Sequence, residues 1–376
     1  MCSQQVDWMP AYAASLKQAI LSKTKNASTV DNEQPLTGLK IVLNSGNGAG
    51  GFFQQVLKDL GADVSASMHL FPDGTFPNGV PNPEDRLMLE QTIACCREAN
   101  ADLGIMLDTD ADRCGFVVPR MAVEGDKCTN YEALNRNRLI ALLGVVFSRE
   151  QPGCAVVTDS VTSEGLSAFL EQTLGLTHVR FLKGYANVIG KARELTESGT
   201  MNAELAIETS GHCAMRENGY LDDGTYTAVQ IVSLLARERS SSPQKSLLDL
   251  IADMEELDEV SELRMTTIDG SLDTMGEIFD DCVDEIERRC ISPEWSGEGW
   301  VIDQDNLEGI RIRFGSGQFF MLRKSLHDPI ISLQLEARSK EEARRRVVDP
   351  LRQLLASIPS ADRALDMSVL RHYNNE

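Results

Sequence analysis

"GIMLDTDADRCGFV", residues 104–117, places three aspartates at alternating positions directly after an apolar run, with an arginine immediately behind them. Three carboxylates this close repel one another unless something positive lies between them. An apolar run that stops at acidic residues reads as a buried strand whose carboxyl end faces a ligand, the place where open α/β sheets bind. Side chains at i, i+2 and i+4 of an extended loop point the same way. Asp108, Asp110 and Asp112 can therefore offer hard oxygens to one Mg2+. An EF-hand fails, because Arg113 stands where the loop needs glycine and Pro119 falls on the twelfth position. A strand-end DxDx[TV] phosphatase motif fits less well, since Asp112 takes the Thr/Val place. A solvated acidic turn is the bland alternative; the metal site is the better reading.

Outward from this stretch, the same rhythm repeats. "LKIVLNS" (39–45) reads as a strand ending in a glycine-rich turn, and "GGFFQQVLKDLG" as a helix. "DVSASMHL" reads as a second strand, "PEDRLMLEQTIACCREAN" as a helix and "ADLGIMLD" as a third strand. Strands alternating with helices imply a parallel sheet covered on both faces. A second round starts at "GCAVVTDS" (153–160), continues through "SEGLSAFLEQTL", "HVRFL", "VIGKARELTES" and "AELAIETS", and includes "ERSSSPQKS" (238–246) as a surface loop. "LIALLGVVF" (139–147) reads as a buried helix. After it, runs of strands between two helices, "LDTMGEIFDDCVDEIERRC" and "SKEEARRRVVDPLRQLLAS", suggest a smaller α+β unit. The expected architecture is α/β: two consecutive α/β/α sandwich units with mixed, mainly parallel sheets, then a small α+β C-terminal domain. The expected divisions are a helix and linker over 1–37, a metal-binding domain over 38–149, a sugar-binding domain over 150–259 and a phosphate-binding domain over 260–376.

Length and composition set the limits. The 376 residues are enough for two or three domains with cores of their own, and 42% hydrophobic with 25% charged is ordinary for a globular protein. The net charge of −21 repels nucleic acid and anionic membranes, so neither is an expected partner. Any anionic substrate needs basic residues gathered locally. Nine cysteines without a CxxC pair read as free thiols in a reducing compartment. No signal peptide is visible, which as the sequence stands reads as cytoplasmic; a missing N-terminus could have carried a plastid or other organelle address.

The remaining motifs are weaker one by one. "GNGAGG" (46–51) matches GxGxxG after a strand, yet the second strand does not end in the acid a dinucleotide site wants, and a tight strand-to-helix turn explains it as well. "IETSGHCAMRENGYLDDG" (207–224) sets Glu208, Ser210 and His212 past another strand end, where short polar side chains suit sugar hydroxyls or simply form a polar loop. "LKGYANVIGKA" (182–192) offers Lys183 and the flexible Gly184 before a helix. "LRKSLHDP" (322–329) gathers Arg323, Lys324, Ser325 and His327 in one turn, an anion nest that a chain of charge −21 makes informative.

Together these loops resemble those of the α-D-phosphohexomutases, the phosphomannomutase/phosphoglucomutase superfamily. "DTDADR" is similar to its DxDxDR metal loop, which implies Mg2+ on Asp108, Asp110 and Asp112 with Arg113 beside the reacting phosphate. "ETSGH" is similar to its sugar loop, implying that Glu208 and Ser210 hold hydroxyls and His212 handles phosphate or proton. "KGYANV", with Lys183, Gly184 and Tyr185, is similar to the loop that helps select the sugar. "RKSLHDP" resembles the RxSxTxP phosphate clamp, with Arg323, Ser325 and His327, the last in place of the usual threonine. "FPNGVPNPED" and "NSGNGAGG" match further landmarks. The resemblance implies an isomerase of carbohydrate metabolism, an intramolecular phosphotransferase interconverting hexose 1-phosphate and 6-phosphate through a hexose 1,6-bisphosphate. The family's first domain carries a phosphoserine loop, Thr-x-Ser-His-Asn-Pro, which this sequence lacks. The helix at 7–23 looks like the joint between that domain and the next. Two expectations follow: an enzyme whose first domain is missing and which is inactive alone, or a truncated sugar-phosphate binding protein or subunit relying on a second chain.

Overall fold

A computed structural model describes residues 7–25, 33–120, 130–241, 245–291, 299–303, 306–325 and 328–373. They form two compact units, one within Met1–Asp159 and Ala168–Met254, the other within Ser160–Ser167 and Glu255–Glu376.

The first unit opens with helix α1 (Met9–Thr24), which buries Leu16, Ile20 and Thr24. Strand β1 (Ile41–Asn44) is buried along its length, and a 3-10 turn leads from it into α2 (Phe53–Asp59). Helix α3 (Arg86–Ala99) starts where the Asp85 carboxylate accepts from the amides of Leu87 and Met88, an N-cap that also stops the preceding loop. Strands β2 (Leu103–Leu107), β3 (Cys114–Arg120) and β4 (Asn130–Leu134) complete a sheet ordered β1-β2-β3-β4. Strands β1 and β2 pair in parallel; β2–β3 and β3–β4 are antiparallel. The expected strand over "DVSASMHL" is reduced to isolated bridges, Lys40 with Asp63 and Asn44 with Met68, because the chain turns between them and His69 takes a positive φ of 51°.

Helix α4 (Arg136–Glu150) is buried from Leu139 to Phe147, which is why its sequence is apolar all round. The second sheet starts with β5 (Ala155–Asp159). After the short helix α5 (Glu164–Ala168) it continues with β6 (Thr177–Phe181), helix α6 (Tyr185–Glu197), β7 (Ala203–Ile207) and β8 (Cys213–Met215). Its order is β6-β5-β7-β8, parallel except for the β7–β8 return. Helix α7 (Gly224–Ser241) runs through residues expected to be surface loop from 238; 242–244 lie outside the described residues. Helix α1 packs on α7 and α2.

The second unit is a five-stranded antiparallel sheet, ordered β10-β11-β12-β13-β9. Strand β9 (Glu259–Thr266) precedes helix α8 (Leu272–Ile291), then β10 (Val301–Ile302), β11 (Ile310–Gly315), β12 (Gln318–Lys324) and β13 (Ile330–Ala337) follow. Helices α9 (Lys340–Ala343) and α10 (Asp349–Ser357), joined by a π-helical turn, close the layer. Alternation along β12 divides the work: Phe320 and Leu322 enter the helix-covered core, while Phe319 and Met321 pack on Val161.

Candidate active site

The acidic loop is the turn between β2 and β3, closed by its own first and last residues. Asp108 is buried, its carboxylate accepting from the Arg113 amide at 3.1 Å and from Arg113 Nε at 2.8 Å. Ala111 sits at a positive φ of 67°. The aspartates thus converge through a folded turn rather than through the extended run the spacing suggests. The result is the same: oxygens of Asp108, Asp110 and Asp112 lie within 4.8 Å of one another. Arg113, expected beside a reacting phosphate, spends its Nε on Asp108.

This set fits a hard divalent cation. Oδ1 of Asp112 is buried with no hydrogen-bond partner among the described residues, and Asp110 is exposed beside it. Burial, and after it the Asp108 charge, pushes the Asp112 carboxyl up to about 7. A buried oxygen without a hydrogen-bond donor, beside two further carboxylates, is a donor set that a divalent cation would satisfy.

The polar loop after β7 meets the acidic loop directly. Backbones of Arg113 and His212 form an antiparallel bridge, and His212 Nδ1 lies 3.6 Å from Asp112. Gly211 makes this approach feasible: its φ is +99°, and a Cβ there would come within 2.8 Å of the Cys114 carbonyl oxygen. Glu208 is buried; its Oε1 accepts from the Gly184 amide at 2.6 Å and its Oε2 from the Ser210 hydroxyl at 3.5 Å. Burial, with the Asp159 charge next, raises the Glu208 carboxyl above the usual range. Gly184 has φ +115°, which turns the chain so that α6 begins at Tyr185, and the Tyr185 ring stacks on His212 at 5.0 Å between centroids. Lys183, Gly184, Tyr185, Glu208, Ser210, His212 and the aspartate turn are therefore drawn together in the first unit.

Three further residues of the site lie in "LDDG" (221–224), beyond the sequence motifs that carry Glu208, Ser210 and His212. Asp222 Oδ2 lies 2.8 Å from His212 Nδ1. Burial alone lowers the His212 pKa; the Asp222 hydrogen bond and charge, with Asp112 behind them, outweigh it and raise the value. Asp223 accepts from the Tyr12 hydroxyl at 2.7 Å and from the Tyr226 amide at 2.8 Å. Gly224 donates its amide to the Ala111 carbonyl at 3.0 Å, and a Cβ on it would meet the Arg113 carbonyl carbon at 2.7 Å. A doubled acid before glycine at a helix start was the available signal.

In the second unit, Arg323 lies on the β12 face shared by Phe319 and Met321, its Nε 3.9 Å from Glu308. The Ser325 hydroxyl accepts from the Asp328 amide at 3.2 Å. His327 lies outside the described residues.

This fold is that of the α-D-phosphohexomutases: a Burkholderia thailandensis phosphoglucomutase/phosphomannomutase family structure matches with TM-score 0.68 at 24% identity, covering 94% of this chain and 65% of that one. An Aspergillus fumigatus N-acetylphosphoglucosamine mutase, solved in complex with GlcNAc-6P and magnesium, matches with TM-score 0.57 at 14% identity over 93% of this chain and 65% of its own. Family models described as phosphoglucomutase/phosphomannomutase alpha/beta/alpha domain II and domain III match residues 10–122 and 135–257, together more than half of the sequence. The chain belongs to the phosphoglucomutase/phosphomannomutase family. Relatives include a phosphomannomutase/phosphoglucomutase from Pseudomonas putida, 26% identical over 82% of this chain, and a phosphomannomutase from Salmonella montevideo, 30% identical over 86%. The chain spans 58% and 63% of the length of these two relatives. Among the described residues no helix is long and apolar enough to cross a membrane.

Proposed function

We propose that this chain supplies the metal, sugar and phosphate sites of a hexose-phosphate mutase, interconverting hexose 1-phosphate and 6-phosphate through a hexose 1,6-bisphosphate. One observation carries the reading: the aspartate turn, the Lys183–Tyr185 turn and the Glu208–His212 loop meet at one place in the first unit, with the Arg113–His212 bridge as the joint. Asp108, Asp110 and Asp112 hold Mg2+, which when bound supplies positive charge to offset that of a transferring phosphoryl group.

The chain's own groups do the rest. Glu208 and Ser210 accept and donate hydrogen bonds to ring hydroxyls, held at that angle by the Gly184 amide. Lys183 brings a positive charge to a substrate phosphate. With Nδ1 engaged by Asp222, His212 has Nε2 left to receive the proton of an attacking sugar hydroxyl. Arg323 and Ser325, with His327, hold a phosphate by charge-assisted hydrogen bonds. The sequence contains no Thr-x-Ser-His-Asn-Pro, so a phosphoryl carrier comes from another domain or a second chain.

Isothermal titration with Mg2+ present tests the reading. Glucose 1-phosphate is expected to bind and glucose to bind far more weakly, and Arg323→Ala to weaken the phosphosugar by roughly 1.5–3 kcal/mol. Equal binding of sugar and phosphosugar removes the phosphate assignment.

A further inference from the structure

The Asp222–Gly224 turn touches both His212 and the aspartate turn, yet lies outside the "DTDADR", "ETSGH", "KGYANV" and "RKSLHDP" loops. Asp222 pairs with Ala214 across the end of β8, and both carboxylate oxygens are committed: Oδ1 accepts from the Cys213 amide at 2.9 Å, and Oδ2 faces His212 Nδ1 at 2.8 Å. Asp112 approaches the same ring nitrogen at 3.6 Å. Two carboxylates on one side of an imidazole favour hydrogen on that side, since a lone pair there faces negative charge. Neighbours fix the turn in place. The Asp223 amide donates to the Cys213 carbonyl at 3.0 Å, its carboxylate is held by Tyr12 and the start of α7, and the Gly224 amide is tied to the aspartate turn.

We propose that Asp222 is a positioning residue: it fixes His212 in the tautomer with hydrogen on Nδ1 and thereby leaves the lone pair on Nε2. Tyr185, stacked on the ring, limits its rotation. In the mutase reading, on which the use of Nε2 rests, this is what lets His212 take a proton from a sugar hydroxyl instead of only donating to phosphate.

Asp222→Asn gives a sharp consequence. The Cys213 amide still requires an oxygen acceptor, so the carboxamide oxygen turns to it and the NH2 faces His212. An NH2 donates, so Nδ1 must become the acceptor and the hydrogen must move to Nε2. The chain has five histidines. With nitrogen-15 in the histidine rings and His212 assigned through His212→Gln, spectra of the ligand-free chain at pH 9 report the neutral tautomer directly.

The parent is expected to show hydrogen on Nδ1 of His212, Asp222→Asn to show it on Nε2, and Asp222→Ala a mixture of both. Near-ultraviolet circular dichroism checks that each variant is folded. If Asp222→Asn does not fold, the parent spectrum decides alone: hydrogen on Nε2 overturns the proposal, as does a folded Asp222→Asn variant that keeps Nδ1–H. Titration with glucose 1-phosphate is a separate arm. Should it fail while the tautomers behave as expected, the mutase reading falls and the Asp222 assignment stands.

Discussion

Burial and a neighbouring carboxylate set the protonation of Asp112, and through it the pH at which a cation can bind. In the folded chain, burial and then the Asp108 charge disfavour the Asp112 anion and push its carboxyl up to about 7. Between about pH 4 and 7 the ligand-free folded chain therefore holds this proton more tightly than the unfolded chain does, so Asp112 lowers stability as pH rises through that window. A metal ion demands the opposite protonation state and must displace the proton. Mg2+ affinity is accordingly expected to strengthen from pH 6 to pH 8 and then level off, with proton release visible as a buffer-dependent heat. Asp112→Asn should bind Mg2+ weakly across the whole range. Affinity in the parent that is flat between pH 6 and 8 would sink the assignment of Asp112 as a ligand. Asp108 differs in that Arg113 already neutralises it, so the two ends of one short turn carry unequal charge environments.

At the scale of elements, the segment 160–167 follows β5 in sequence but folds with the second unit, and Arg311 is the reason. Its guanidinium is buried, donating to the carbonyls of Ser160 at 3.0 Å and Thr162 at 3.2 Å and to Glu164 at 2.9 Å. Asp303 receives its Nε at 3.2 Å, and the Phe319 ring lies 3.5 Å from its central carbon. Arg311→Ala strands a buried carboxylate and two carbonyls at once. It is expected to cost about 3–5 kcal/mol in denaturant unfolding, and a loss below about 1 kcal/mol would contradict this account. Elements were legible in the sequence where pattern and partner lie close together: the apolar run of α4, the β2 strand before its aspartates, the paired helices around the C-terminal sheet. Those set by distant partners were not. "DVSASMHL" carries strand composition but turns between its two isolated bridges before a continuous ladder can form, and β3 returns antiparallel only because the aspartate turn reverses the chain. The aspartates could be read because they are contiguous. For Asp222 the doubled acid before Gly224 marks a turn but not its partner, since His212 lies across a strand end that the β7–β8 return creates.

For the whole molecule, the question is whether these 376 residues can run a mutase cycle. Such a cycle needs a group that keeps a phosphoryl between two transfers, and serine is the family's carrier. The chain spans 58% and 63% of the two relatives compared, and its sequence has no Thr-x-Ser-His-Asn-Pro. The serines nearest the site motifs are already engaged. Ser45 is fully buried and donates to the His69 carbonyl at 2.7 Å, Ser160 donates to Glu308, and Ser210 faces Glu208. A hydroxyl that must accept a phosphoryl group needs both access and a base to take its proton, and Ser45 has neither. Water can stand in as acceptor, which yields slow bisphosphate hydrolysis but no isomerisation. The chain made alone, supplied with glucose 1,6-bisphosphate, Mg2+ and carbon-13-labelled glucose 1-phosphate, is therefore expected to carry label into glucose 6-phosphate no faster than a control carrying Asp108→Ala and Asp110→Ala. Unlabelled glucose 6-phosphate from hydrolysis of the bisphosphate is not counted. Adding a separately made phosphoserine domain from a family member should raise the rate above that floor if the carrier is all that is wanting. Robust turnover by the chain alone, abolished by replacing one resident serine, would place the carrier within these residues and reverse the conclusion.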